Sequence, residues 1–411
     1  MSQLVTTAAE TLQVPIDCGL LPDGWKLMRL RELCERITDG THQPPPFVSK
    51  GIPFLFVRNI IAGRIDFNVS QYVTEETYEA LTRRCRPTRN DILYSAVGSF
   101  GVAVVIDTDK PFTFQRHIAH LKLKRDLINP YFLAYYINSP QGRQQSELTA
   151  LGGAQRTVTL TSLAKFEIPV PSLAEQERIV TRLSEQMETV WRARAAAEAQ
   201  LKAAKELPGA YLRDVFESAE AQRWQRVRLE KVCTVHPGQH ILEQDYNHKG
   251  IGIGYLTGPA DFGDEYPSVT KWTEKPKAWC ESGDALVTVK GAGVGKINLA
   301  LEERLAIGRQ LMAVRPMPDL IIQKFLFWVM KTHFELLQAN ALGATVPGLG
   351  RENIESLIVP LPSLSEQEKI VSLFIQKSQA WTRIQSDLQD QFDSINKLPA
   401  ALLRQAFAGK L

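Results

Sequence analysis

The chain has 411 residues, of which 44% are hydrophobic and 23% charged, with a formal net charge of +3. This length suits two or three domains that each bury a core, and the charge balance excludes a polycation. No run approaches 18 apolar residues, and no charged segment followed by an apolar one opens the chain, so export and membrane insertion are disfavoured and a cytoplasmic protein is expected.

Residues 1–20 read as an N-terminal extension, helical around Val5 to Leu12. From Trp25 to about Leu163 short alternating runs bounded by Gly, Pro, Asn and Asp predict strands at 54–57, 92–94, 102–106 and 120–124. Helical patterns fall at 75–83 and 130–138. A second segment, from Trp224 to about Ile354, repeats this order, with a helix predicted at 321–337. Each segment is therefore a mixed α+β globule, and each leads into a long helix.

Those long helices form an ungapped internal repeat whose opening and closing residues match most closely. PSLAEQERIV begins at Pro171 and PSLSEQEKIV at Pro362, 191 residues later, and the match runs ungapped for about 46 residues to Phe216 and Phe407. Apolar positions recur at alternating steps of three and four: Val180, Leu183, Met187, Val190 and Leu201 in the first copy. The second has Val371, Phe374, Trp381, Leu388, Phe392 and Ile395. A 3.5-residue period marks a coiled-coil seam. The copies also share polar slots in that frame, Gln176/Gln367 and Arg194/Gln385. Ser172 with Glu175, and Ser363 with Glu366, have capping-box spacing. Pro208 and Pro399 are expected to interrupt the helices after roughly 35 residues, on the order of 50 Å. Looser matches link the globules: Trp25 to Cys34 with Trp224 to Cys233, Asn90 to Gly98 with Gly283 to Gly291, Arg116 with Arg309, and Leu151-Gly152 with Leu342-Gly343. Two globules on two paired helices predict a pseudo-two-fold dumbbell, an object suited to a bipartite target.

Catalytic chemistry finds no support. The run Lys290-Gly-Ala-Gly-Val-Gly-Lys296 fails as a phosphate loop, because Lys290 takes the first glycine slot and Ile297 follows the lysine. Such a turn can still approach a phosphate backbone through its N–H groups and lysines, or serve only as a tight turn. Neither Gln43-Pro-Pro-Pro-Phe47 nor Asn129-Pro-Tyr131 is an adenine-methylation motif. No clustered carboxylates, Ser/His/Asp set or Cys/His set stands out. The cysteines Cys18, Cys34, Cys85, Cys233 and Cys280 form no C-x-x-C pair and no zinc ligand set, which fits a reducing compartment. No catalytic, metal or cofactor site is expected.

The basic residues fit nucleic acid. Arg83, Arg84, Arg86 and Arg89 fall within seven residues, and residues 43–125 hold twelve Lys and Arg against seven Asp and Glu. The cluster reads either as a solvated helix end or as a contact to phosphate or guanine. Arg116 and, in the second globule, Lys290, Lys296 and Arg309 complete the candidate DNA-binding set.

The PSL-x-EQE-[RK]-IV helix openings, with Leu21-Pro-Asp-Gly-Trp25 and Ile37-Thr-Asp-Gly-Thr-His42, resemble the specificity subunit of type I restriction-modification systems across essentially the whole chain. In the second copy Val235-His-Pro-Gly-Gln-His240 replaces the last motif. The resemblance implies target-recognition domains at 21–170 and 223–361, and spacer-helix regions at 171–222 and 362–411 that pair antiparallel. It implies a subunit without catalysis, each domain reading one half of a bipartite duplex site. It also implies two modification (methyltransferase) subunits as partners, and restriction (helicase-nuclease) subunits that can join. S-adenosylmethionine, ATP and Mg are then expected on those partners. Two other classes compete: a recognition domain fused to a methyltransferase or nuclease, for which the motifs are missing, and a protein-binding scaffold without DNA recognition.

Overall fold

The computed structural model describes residues 21–84, 86–153, 155–291, 293–333, 337–338 and 348–411. The extension to residue 20, with the helix expected there and Cys18, lies outside them, as do Cys85, Leu342 and Gly343. The fold is α+β. The chain forms two compact units, Met1–Ala197 with Gln391–Leu411, and Glu198–Asp390. Each long helix therefore contributes its two parts to different units.

In the first unit the strand Lys26–Arg29 pairs antiparallel with Glu167–Val170, so the segments that open and close the globule clamp each other. Between them lies a four-stranded antiparallel sheet in the order Cys34–Asp39, Ile118–Leu123, Ile92–Ser95 and Ala103–Val105. A smaller sheet joins Ile52–Leu55 to Tyr72–Val73 and, in parallel, to Thr113–Phe114. The helix Pro130–Asn138 covers the larger sheet. It starts where the Asn129 side chain accepts from the Tyr131 and Phe132 amides, with Pro130 in the first turn, where a missing N–H costs nothing.

The second unit repeats this plan. Gln225–Arg228 clamps Ile358–Leu361. Its main sheet runs Cys233–Pro237, Leu311–Pro316, Ala285–Thr288 and Ile297–Leu299. In the smaller sheet Ile253–Leu256 lies parallel to Arg304–Ile307, which also pairs with Trp279–Glu281. That last strand follows where the first unit has the helix Glu75–Thr82. The strand expected at 54–57 occupies Ile52–Leu55 instead. The chain then turns at Val57–Asn59, because the Asn59 side chain takes the Phe56 amide at 2.9 Å. The helix expected at 321–337 spans Gln323–Thr332; His333, just beyond, binds the carbonyls of Val329 and Ile358 through its ring nitrogens.

The long helices span Leu173–Glu217 and Leu364–Phe407, 45 and 44 residues, or about 67 Å for the longer. They continue through Pro208 and Pro399, against expectation. Pro208 leaves the carbonyl of Ala204 without its helical donor, and the Gln385 side chain supplies one at 3.0 Å. Burial holds the turns beyond the prolines: Leu212 and Phe216 enter the second unit's core, and Leu403, Ala406 and Phe407 enter the first's. Phe407 meets Phe132 and Tyr136 edge-on at 5.3 and 5.0 Å, while Phe216 meets Phe325 at 5.6 Å. Truncating such a phenylalanine costs about 3–5 kcal/mol, enough to offset an interior proline at about 3 kcal/mol.

Within each unit the two helical segments run antiparallel. In the first, Arg178 donates to the carbonyl of Leu411 and Arg194 lies over the Phe392 ring. In the second, Gln385 meets Ala204, and Tyr211 stacks against Phe374 and Trp381 at 6.0 and 5.6 Å. Leu183, Met187, Val190, Leu201 and Phe374 are buried, whereas Val180, Val371, Trp381, Leu388, Phe392 and Ile395 are half-buried. Beside Val180, Ile179 is the fully buried side chain, because the recognition core closes on that face.

Candidate nucleic-acid interface

Strand register defines two ends of each main sheet. In the first unit, Asp39 sits opposite Ala119 and Ser95 opposite Ile118, so the loops after Asp39 and Ser95 meet the turn 115–117 at one end. In the second, Pro237 sits opposite Met312 and Thr288 opposite Leu311, which gathers the loops after Pro237 and Thr288 with the turn 308–310. This is the loop end of each unit.

Glycine makes the loop end possible. A Cβ on Gly40 would lie 2.1 Å from the Phe114 carbonyl oxygen, and one on Gly238 would lie 2.2 Å from that of Gly308. The amide of the next residue then reaches across, Thr41 to Phe114 and Gln239 to Ile307. The second copy thus keeps the backbone device of the first although its sequence differs. Asp39 pairs with His42 at 2.9 Å in the first loop only.

The sequence-nominated cations divide between the ends. Arg116, Lys290, Lys296 and Arg309 are exposed at the loop ends, and none of them forms an ion pair among the described residues. The arginines Arg83, Arg84, Arg86 and Arg89 lie elsewhere. The first three line a cavity of about 590 Å³ with Arg36 and Lys122, near the opposite end of the sheet. Arg86 is paired with Glu79 and lies over the Tyr78 ring. Arg89 grips Asp109 with two nitrogens, the closest contact being 2.7 Å, and this hydrogen bond raises the arginine and lowers the carboxyl from their ordinary values. Two of the four arginines are thus neutralised within the unit.

The glycine-rich turn also differs from the phosphate cradle considered above. The amides of Val294, Gly295 and Lys296 donate to Gly291, Thr288 and Gly293. With Gly291 and Gly295 at φ of 91° and 87°, only glycine suits these two places. The turn therefore presents lysine side chains more than a set of open amides.

Several loop-end residues escaped sequence reading. Arg143, from the helix Pro140–Thr149, donates to the Phe100 carbonyl at 3.2 Å, and burial pushes its guanidinium below the ordinary value. Arg156 lies over the Phe100 ring while holding Glu147. Gln310 packs so closely on Gly258 that a Cβ there would lie 1.9 Å from its Oε1. The signal for Phe100 was present, an aromatic between Gly98 and Gly101; the others are joined only by the fold.

A buried carboxylate anchors the opposite end of each sheet. Asp91 is buried against the buried His120 at 2.9 Å and accepts the amide and hydroxyl of Thr88. Burial pushes its carboxyl up, but His120 and Thr88 outweigh this and hold it below the usual range. Asp284 in the second unit is gripped instead by Arg315 at 2.9 and 3.0 Å. Cys34, Cys233 and Cys280 are buried thiols pushed up to about 12 by desolvation, which leaves them unreactive. Among the described residues no group of three or more His, Cys, Asp or Glu could hold a metal, and no helix is long and apolar enough to cross a membrane.

The type I restriction modification DNA specificity domain family matches twice, at residues 22–191 and 221–391. The type I restriction enzyme MjaX specificity subunit of Methanocaldococcus jannaschii is 26% identical over 371 residues, spanning 86% of this chain and 87% of its own length. A chain solved in a study of complex assembly and conformational transition of the type I R-M system superposes with a TM-score of 0.77 at 25% identity, over 95% of this chain and 99% of that one. The HsdS subunit from Thermoanaerobacter tengcongensis shares the fold, with a TM-score of 0.59 at 24% identity over 95% and 98% of the two chains.

Proposed function

The chain belongs to the type I restriction-modification DNA specificity family, as a specificity subunit with two target-recognition domains, and from this we propose how its parts divide the work. Each recognition domain reads one half of a bipartite duplex through its loop end, and the long helices set the spacer between the halves. Subunits of this family are non-catalytic and act with the other subunits of their system and with DNA. In our reading two modification subunits dock on the helices and domains, carry S-adenosylmethionine and methylate adenine. Restriction subunits that hydrolyse ATP with Mg join the same core. The assembly works in the cytoplasm.

The observation that carries this reading is the pairing of one scaffold with two different loop ends. The main sheets, clamps and glycine devices of the units match, and both turns carry an arginine, Arg116 or Arg309, while the other residues presented there differ: Phe100 and Arg156 in one, Lys290 and Lys296 in the other. A common frame with divergent contact residues suits two readers of different sequences. The test is a domain exchange. Residues 25–163 are replaced by the matching segment of a relative, and methylated adenines are mapped in a host carrying the complete system. One half of the motif should change and the other should stay; change in both halves, or in neither, defeats the two-reader model.

A further inference from the structure

Two glutamines are wholly buried at the roots of the long helices and are held in the same way. Gln176 accepts the Asn129 amide at 2.7 Å and donates to the carbonyls of Leu127 and Pro171, both at 3.0 Å. Gln367 accepts the Ile322 amide at 2.8 Å and donates to the carbonyls of Leu320 and Pro362, both at 3.0 Å. Each side chain ties three backbone groups together. One precedes the long helix, and two lie in the loop that enters the short helix of the recognition domain.

A primary amide offers one acceptor and two donors, and all three are engaged here. Glutamate has no donor when ionised, and asparagine is one methylene short. The apolar contacts around the same turns, Ile179 in the first unit and Ile370 in the second, join the helices to the cores. Hydrophobic burial is non-directional, so it resists separation better than rotation. Three hydrogen bonds from one planar group fix an angle.

We propose that Gln176 and Gln367 are positioning residues for target selection, fixing the angle at which each recognition domain sits on its long helix and thereby the spacing and phase of the half-sites the protein accepts. This rests on the reading that each domain reads one half of a bipartite site. In B-DNA one added base pair moves a half-site by about 3.4 Å and turns it by about 34°. A domain pinned by its glutamine meets only one such arrangement. A domain held by apolar contacts alone meets several.

The experiment uses the full complex and duplexes that keep both native half-sites while the spacer varies by one or two base pairs around the length found in the host methylome. Gln176→Met and Gln367→Met keep the volume and remove the polar groups. Each should read the same half-site bases as wild type, while preference for the native spacer over its one-base-pair neighbours falls about tenfold, the worth of one or two buried hydrogen bonds. Where Gln176→Met fails to fold, Gln176→Asn carries the same comparison. Ile179→Ala loosens the same turn without touching the hydrogen bonds and should keep the wild-type preference. Folded glutamine variants with undiminished spacer preference overturn the proposal. So does an Ile179→Ala protein that relaxes the spacer equally, since the role is then stability alone. A wild-type complex with no bipartite motif defeats the functional reading instead.

Discussion

Asp91 and Arg84 illustrate how little a residue's identity says without its surroundings. Asp91 is held below the usual carboxylate range by His120 and Thr88, so its contribution to stability is fully present above the unfolded value of about 3.9 and is lost as pH falls through the lower folded value. Melting temperatures of wild type and Asp91→Asn should therefore converge as pH drops below about 4. Convergence on raising the pH instead would contradict the assignment. Arg84 belongs to the most basic stretch of the sequence, yet lies away from the loop end, and its carbonyl accepts from Arg36. Lys290→Ala and Lys296→Ala should each lower the slope of log K against log salt by about one, as loss of a phosphate contact does, and weaken binding evenly across DNA sequences. Arg84→Ala should leave the slope unchanged. Equal slopes for all three variants would remove the loop end from the interface. Sequence nominated the arginines by local charge density and the lysines by their place beside a glycine-rich turn, both of which are written locally in the chain. Which end of a sheet a cation occupies depends on strand register, which pairs residues far apart and leaves no local trace.

The long helices were the most legible elements and also the source of an error. The alternating three-four frame predicts which positions face inward, and from Phe374 to Ile395 every frame position is at least half-buried. The prolines misled because propensity is local, while the Gln385 donor to Ala204 and the burial of Phe216 come from partners far along the chain. Gln385→Ala should cost about 1–3 kcal/mol by leaving the Ala204 carbonyl unsatisfied. In a Pro208→Ala background the cost should shrink, since residue 208 regains the N–H that the carbonyl lacks. Additive effects in that double-mutant cycle would show that the glutamine and the proline are not coupled. The shared polar slots Gln176 and Gln367 also read differently in structure: the frame suggests seam positions, whereas both amides face the recognition domain. A periodic pattern reports that a position is inside, not which neighbour it meets there.

The duplication was legible because the helix copies still align without a gap and keep the same opening and closing residues, PSL-x-EQE and Leu-Pro, and it carried the two-unit organisation with it. The second unit's Trp279–Glu281 strand was not, because the first unit has no counterpart to suggest it. For the whole protein the main expectation concerns length. One heptad inserted into both long helices, after Gln200 and after Asp390, keeps the seam facing inward and adds about 10 Å to each, close to three base pairs of duplex. The methylated motif should keep both half-sites and gain a spacer of about that size. Methylation of the original spacer by the lengthened protein would end the ruler reading.

The apolar core of the first unit includes Leu403, Ala406 and Phe407, residues that leave the ribosome more than two hundred positions after the strand Glu167–Val170 closes the globule they complete. During synthesis, therefore, the Phe132 and Tyr136 rings of the recognition domain made first lack their Phe407 contact until the last helical turns emerge, while the second unit, contiguous from Glu198 to Asp390, has all of its parts earlier. The half of the protein translated first is the half finished last. A truncated or stalled chain should accordingly present a completed second reader beside an unfinished first one, a state that protease and chaperone can tell from the mature subunit.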